Sequence, residues 1–249
     1  MLKRSVATGV YREGVVIIHR QFNGPAHSGN GGYVCGLIAS QIDTSEPVTA
    51  MLRQPPPLDT ALSWEHHDND VHLLTAGGAL VGEATPGSFA LDAPPAPTAA
   101  QAAAGEAAYP GHVGHPFATC FTCGPDRGEG DGLRVFTGPI DPGGTTVAGT
   151  WTLHPDLLDA DGQLPTQIVW AAIDCAGGWT ADFTVNPSVL GRMTAQITRL
   201  PEVGEACTVT GRLNEHNGRK LLTSTALHAG TELLARSEQV WIEIDPASF

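Results

Sequence analysis

Residues Phe22–Ile42 read FNGPAHSGNGGYVCGLIASQI, a polar, glycine-rich loop that runs directly into a short apolar helix. The helix, expected over Tyr33–Ile42, has no polar face and therefore belongs inside the protein. Before it, Gly14–Gln21 (GVVIIHRQ) is rich in β-branched residues and reads as a strand, and residues 1–13 read as a lead-in strand or arm. After it come strand-like stretches and no helix of comparable strength in this half of the chain. One buried helix wrapped by antiparallel strands is the architecture these residues predict.

The helix start also has chemical potential. Asn30, Gly31 and Gly32 lie where the first backbone N–H groups have no intrahelical partner and carry the positive end of the helix dipole. Two glycines there let a ligand reach the backbone without meeting a Cβ. Such a terminus can hold an anion or stabilise charge growing on a carbonyl oxygen. The same pair can also serve only as a tight strand-to-helix turn. His27 and Ser28 stand beside it; His27 is a candidate base, or a loop histidine bonding the turn.

Outward from this stretch, Pro47–Gln54, Ala61–His66 and Val71–Glu83 read as strands, with Pro55-Pro56-Pro57, Asp68-Asn69-Asp70 and Gly77-Gly78 as breaks and turns. Residues 90–111 turn Ala/Pro-rich and read as a linker or surface crossover outside the core, with a short helix over Thr98–Ala108. Residues 112–143 form a loop-rich segment. The opening pattern then returns. Thr145–His154 alternates like a strand, Pro155–Leu164 is a polar loop, and Pro165–Phe183 (PTQIVWAAIDCAGGWTADF) is a second apolar helix. Leu190–Arg199, Ala206–Leu213, Leu221–Ala229 and Glu232–Ile244 follow as strands, with Asn217-Gly218 marking a tight hairpin. Arg53-Gln54-Pro55 aligns with Arg199-Leu200-Pro201, and His72–Thr75 with Lys220–Thr223, so the chain is an internal duplication. The expected division is 1–89, a connecting segment 90–143, and 144–249.

The 249 residues suffice for two small domains, and 41% hydrophobic residues supply their cores. With 13 Lys+Arg against 26 Asp+Glu, the formal net charge is -13, which argues against nucleic-acid binding. An anionic ligand can still be met locally by arginines such as Arg127, Arg134, Arg192 and Arg199. Lys3 and Arg4 open the chain, but Arg12, Glu13 and Gly14 interrupt it before a signal-peptide-like apolar run develops. No segment has the length of a membrane span. The odd count of five cysteines fits a reducing compartment, and the cytoplasm is the expected location.

The layout resembles the hotdog fold, and the duplication is similar to the double-hotdog acyl-CoA thioesterases of the thioesterase II type. Asn30-Gly31-Gly32-Tyr33 resembles the NGGY helix start of thioesterase-like members. Ala172-Ile173-Asp174 falls where thioesterase II proteins carry a catalytic aspartate. Leu234–Gln239 is similar to the family strand that ends in a catalytic glutamine. The family's strand threonine has no clean counterpart: the alignment through Arg199 puts Leu190 there, with Thr194 the nearest hydroxyl. The resemblance implies an α+β protein of two tandem hotdog domains that hydrolyses an acyl-CoA and assembles as a homodimer or larger oligomer. It implies Asp174 as base, Gln239 and Thr194 as its partners, and Asn30–Gly32 as the oxyanion site. An isolated carboxylate inside an apolar helix is costly, and burial raises its pKa towards a useful value.

Two rivals stand beside this reading. Phe22–His27 (FNGPAH) partly matches the Asp-x-Asn-Pro-x-His signature of hydratase-type hotdog proteins, but no aspartate precedes it and Gly24 separates Asn23 from Pro25. A non-catalytic protein that binds acyl-CoA or another hydrophobic ligand is the other. No cofactor is expected. Cys120 and Cys123 form a Cys-x-x-Cys half-site with His112 and His115 upstream, which suits zinc, but a packed loop of reduced thiols is the expected reading. In Gly130–Arg134, Arg134, like Arg127, is a candidate for CoA phosphates.

Overall fold

The computed structural model describes residues 14–141, 143 and 145–245, so the lead-in expected over residues 1–13 lies outside the described residues. In the first half, strand β1 is Val15–Ile17, helix α1 is Gly31–Ala39, and strands β2 (Val48–Leu52), β3 (Ala61–His66), β4 (Val71–Thr75) and β5 (Leu80–Pro86) follow. The connecting segment holds α2 (Ala99–Ala107), α3 (Gly111–Gly114) and β6 (Gly138–Pro139). The second half holds β7 (Thr146–Thr152), α4 (Thr166–Ala172), α5 (Cys175–Gly178), β8 (Ser188–Ile197), β9 (Ala206–Asn217), β10 (Lys220–Ala229) and β11 (Glu232–Glu243).

The strands of the described residues join one 11-stranded sheet in the order β1-β3-β4-β5-β2-β8-β11-β10-β9-β7-β6. The seam between the halves is the antiparallel pair β2–β8, running from Val48 opposite Ala195 to Met51 opposite Arg192. Counted outward from it, β4 and β10 hold equivalent places, and they carry the aligned segments His72–Thr75 and Lys220–Thr223. The hairpin between β9 and β10 turns at Gly218, whose φ of 57° suits a residue without a Cβ.

Helix α1 is buried along Gly32–Gly36 and again at Ile38 and Ala39, enclosed by its own sheet and by α4. Asn30 caps it, its Oδ1 accepting the Tyr33 N–H at 2.8 Å. The opening strand stops at Ile17, short of the expected Gln21. Arg20–Phe22 winds into a tight turn there, and Asp59 accepts hydrogen bonds from the Arg20 backbone N–H at 3.0 Å and from Nε at 2.6 Å.

Two further expectations change. The second helix is not continuous over Pro165–Phe183: α4 ends at Ala172 and α5 restarts at Cys175. The Ile173 carbonyl instead accepts hydrogen bonds from Thr225 Oγ1 at 2.7 Å and Gln239 Nε2 at 2.8 Å, so side chains from the sheet break the helical ladder. Residues 90–111 are also not wholly outside the core. Ala102 and Tyr109 are buried, and the Tyr109 hydroxyl donates to the Cys123 carbonyl at 2.8 Å. Gly105 lets α2 lie directly on the Ala148 carbonyl of β7.

The Cys-containing segment ties the halves together. The Phe121 ring stands edge-on to Phe22 and Tyr33, with centroids 5.0 and 6.0 Å away. Its backbone N–H donates to the Asn23 carbonyl at 2.7 Å. This crossing brings Cys120 and Cys123 to the break between α4 and α5. Among the described residues no helix is long and apolar enough to cross a membrane.

Candidate active site

Helices α1 and α4 touch at glycines. A Cβ on Gly32 would lie 2.5 Å from Asp174 Cβ and 2.7 Å from the Trp170 carbonyl oxygen. One turn on, a Cβ at Gly36 would lie 2.7 Å from both Gln167 Cα and Trp170 Cβ. This contact sets the α1 start against the α4–α5 break.

Asp174 sits at that break with 1% of its surface exposed. Its Oδ2 accepts the Gly32 N–H at 2.9 Å and Asn30 Nδ2 at 3.0 Å. Its Oδ1 has no hydrogen-bond partner among the described residues. Burial pushes the carboxyl up to about 7, helped by the nearby Cys120, while the Gly32 N–H and the Asn30 amide pull it partly back. The helix start is therefore already shared out: Gly32 N–H to Asp174, Tyr33 N–H to Asn30 Oδ1. The Gly31 N–H has no partner among the hydrogen bonds of the described residues.

Asn30, Gly31 and Asp174 form the polar end of a cavity of about 260 Å³. Phe117, Phe183, Leu190 and Trp241 give it apolar walls, and Arg53 also lines it. Leu190 stands where the thioesterase II resemblance expects a threonine, packed so closely on Gly31 that a Cβ there would lie 2.6 Å from Leu190 Cβ. Ser188 supplies a hydroxyl instead. It lines the same cavity, and its buried Oγ makes no hydrogen bond among the described residues. It lies two residues before Leu190 on β8, so the period of two along a strand was the signal for it.

The other candidates lie elsewhere. Thr194 is on the β2–β8 seam, its hydroxyl 2.8 Å from that of Thr49. A bulge between Val240 and Trp241 leaves Gly191 unpaired, and this puts Thr194 and Leu190 on opposite sheet faces despite their even spacing. His27 is exposed and lines a separate groove with Arg20, Asp59 and Arg127. Arg134 donates to the Arg127 carbonyl and lies 5.1 Å over the Phe136 ring, away from the cavity. Arg127 clamps the Phe22–Asn30 loop, donating to the Gln21 carbonyl at 2.7 Å and to Asn23 Oδ1. Arg199 pairs with Glu205 and Glu232, and Arg192 is exposed. The cavity's own arginine, Arg53, is tied to Glu83. Accordingly, His27→Ala and Thr194→Val leave the activity proposed below unchanged, as steady-state assays of both variants will register.

Gln239 is buried and spends its amide internally. Nε2 donates to the Ile173 carbonyl and to Ser237 Oγ at 2.9 Å, and Oε1 accepts Trp241 Nε1 at 2.6 Å. It holds the residue before Asp174 without lining the cavity. Removing it leaves the Trp241 N–H buried and unpaired, so Gln239→Ala loses about 2–3 kcal/mol in urea unfolding.

The opposite end of the helix pair carries a second groove, lined by Ser40 on the α1 side and Thr166 on the α4 side. It has no glycine pair at the helix start and no carboxylate on the facing helix. Among the described residues the buried acid and the open helix start occur together at the Asp174 end of the helix pair.

No family model matches the chain, and no curated protein matches it. Solved structures do. An acyl-CoA thioesterase II from Mycobacterium marinum aligns at 14% identity over 99% of this chain and 97% of that one, with a TM-score of 0.59. A tesB protein from Mycobacterium avium subspecies paratuberculosis aligns at 13% over 97% and 96%, TM-score 0.59. A hot dog fold protein of unknown function from Alicyclobacillus acidocaldarius aligns at 12% over 96% and 97%, TM-score 0.61. At such identities the likeness is one of fold, and with the two halves of one sheet, joined at β2–β8, each wrapped around a central helix, this chain is a double-hotdog protein.

Proposed function

We propose that this protein hydrolyses an acyl-CoA thioester at the Asp174 cavity. The observation that carries the reading is a buried carboxylate at the base of an apolar cavity, with Oδ2 clamped by the α1 start and Oδ1 uncommitted. Thioester hydrolysis needs a polarised carbonyl and an activated water. The Gly31 N–H, at the positive end of α1, meets the carbonyl oxygen as it gains charge. Asp174 Oδ1 takes the proton of the attacking water. The tetrahedral intermediate then collapses, the C–S bond breaks, and the leaving thiolate takes the proton that Asp174 holds, which restores the carboxylate. Gln239 is a positioning residue that fixes the break on which Asp174 sits.

The apolar walls take the acyl group. A cavity of about 260 Å³ suits a short or compact acyl group, with the nucleotide part of the substrate lying outside. Arg53, the arginine of the cavity lining, meets a phosphate there only by sharing its guanidinium with Glu83. The likeness to an acyl-CoA thioesterase II structure supports the substrate class. Hydration of an enoyl thioester is disfavoured because His27 lies outside the cavity. A binding protein without turnover is the second reading, favoured by Leu190 in the threonine position.

The test is free-thiol release from short, medium, long and aromatic acyl-CoAs. Release from the short or aromatic members is expected. Binding of the intact thioester with no release from any of them sinks the hydrolase in favour of the binding protein, and loss of enoyl absorbance without thiol supports hydration.

A further inference from the structure

The cavity wall beside Asp174 is made of sulfur. Cys120 and Cys123 come from the crossing segment and Cys175 from the first position of α5. All three are buried and unbridged, and their Sγ atoms all lie within 4.8 Å of one another. The Cys120 and Cys175 sulfurs are 3.7 Å apart. A tetrahedral zinc ion with Zn–S bonds of about 2.3 Å holds its sulfurs about 3.8 Å apart. The cluster therefore already has the dimensions of a thiolate metal site.

The groups around the sulfurs fit the same chemistry. Asn30 Nδ2 lies 3.8 Å from Cys120 Sγ. His115 Nε2 lies 3.2 Å from Cys123 Sγ, while His115 Nδ1 accepts the Phe117 N–H at 2.8 Å. Because Nδ1 is an acceptor, the neutral ring carries its proton on Nε2 and donates it to sulfur. Metal-bound thiolates are stabilised by such outer hydrogen bonds. This separates the cluster from the Cys-x-x-Cys half-site read in the sequence. His112 is exposed and packs edge-on to Tyr109 and at a steep angle to Phe136, His115 is an outer donor, and the third sulfur comes from Cys175.

We propose that Cys120, Cys123 and Cys175 bind one zinc ion as thiolates, with the fourth coordination position open to the cavity beside Asp174. Binding forms three Zn–S bonds, releases the three thiol protons to solvent and displaces water from the ion, with no change in oxidation state. The ion pins the crossing segment of the chain to the α4–α5 break. Zinc bound here is measured as metal and not as turnover, so it is independent of whether the cavity hydrolyses a thioester.

The test is metal titration of the reduced full-length chain. Zinc is expected to bind at one ion per chain in competition with a chromogenic chelator. Cobalt in its place is expected to give intense thiolate-to-metal charge-transfer bands in the near ultraviolet. Cys175→Ser, checked for folding by circular dichroism, loses these bands, whereas Cys35→Ser and Cys207→Ser keep them. His115→Phe keeps the stoichiometry but binds about 10-fold more weakly. If wild-type protein binds no stoichiometric zinc, or its cobalt form lacks thiolate bands, the proposal fails whatever the variants do. Undiminished bands in folded Cys175→Ser overturn it equally.

Discussion

Asp174→Asn abolishes thiol release while the substrate still binds. Asparagine matches aspartate in shape, and one amide oxygen can accept the Gly32 N–H and the Asn30 amide as Oδ2 does now. What asparagine cannot do is take a proton from water. Loss of a general base removes about 10²–10⁴-fold of rate, and the whole loss falls in kcat because the acyl pocket is untouched. Stability moves the other way or not at all, since a carboxyl that burial holds at about 7 resists ionisation in the fold and its amide has no such penalty. The expected pattern is a collapsed kcat, a nearly unchanged KM and an unchanged or higher Tm. Turnover within about tenfold of wild type would take the base role from Asp174.

Gly36→Ala unseats the helix pair without touching the catalytic groups. In an isolated helix this change stabilises by about 1 kcal/mol, because glycine is a poor helix former. Here the new methyl would lie 2.7 Å from Gln167 Cα, a backbone atom that moves only if α4 moves. Overpacking of this kind costs about 1–3 kcal/mol, and backbone contact puts it at the upper end or beyond. For a chain of this size the Tm falls by roughly 6–12 °C at about 3 kcal/mol. Gly77→Ala is the control, since a methyl there meets nothing nearer than 3.8 Å. A Tm that rises in Gly36→Ala would mean that α1 and α4 do not meet in this register. Gly32→Ala adds a second injury, because its methyl would overlap Asp174 itself; it is expected to lose both stability and thiol release.

Much of the fold is legible in the sequence. Thr145–His154 alternates as β7 does, β9, β10 and β11 are long strand-like runs, the hairpin between β9 and β10 is marked by Asn217-Gly218, and both central helices are too apolar to lie on a surface. These are local signals with a period, and each half repeats them. Asp174 was legible for a related reason: one carboxylate in an apolar helix must be either satisfied or used. Asn30, Gly31 and Gly32 were legible as a helix start, although their division of labour was not.

The rest depended on what lies opposite. Thr194 and Leu190 have the same parity in the chain, and only the unpaired Gly191 puts Leu190 in the cavity and Thr194 on the other sheet face. Gln239 has the chemistry of a catalytic amide, but Ile173, Ser237 and Trp241 consume it, and those partners come from the α4–α5 break and its own strand. The break itself follows from Thr225 and Gln239 reaching in from the sheet, which no helical propensity encodes. Cys175 meets Cys120 across a separation of 55 residues. The sequence alone determined the repeated pattern of buried helices and alternating strands, because burial periodicity is local to each segment. Tertiary structure decided which polar groups stay free, because a buried hydrogen-bonding group takes whichever partner packing brings within reach.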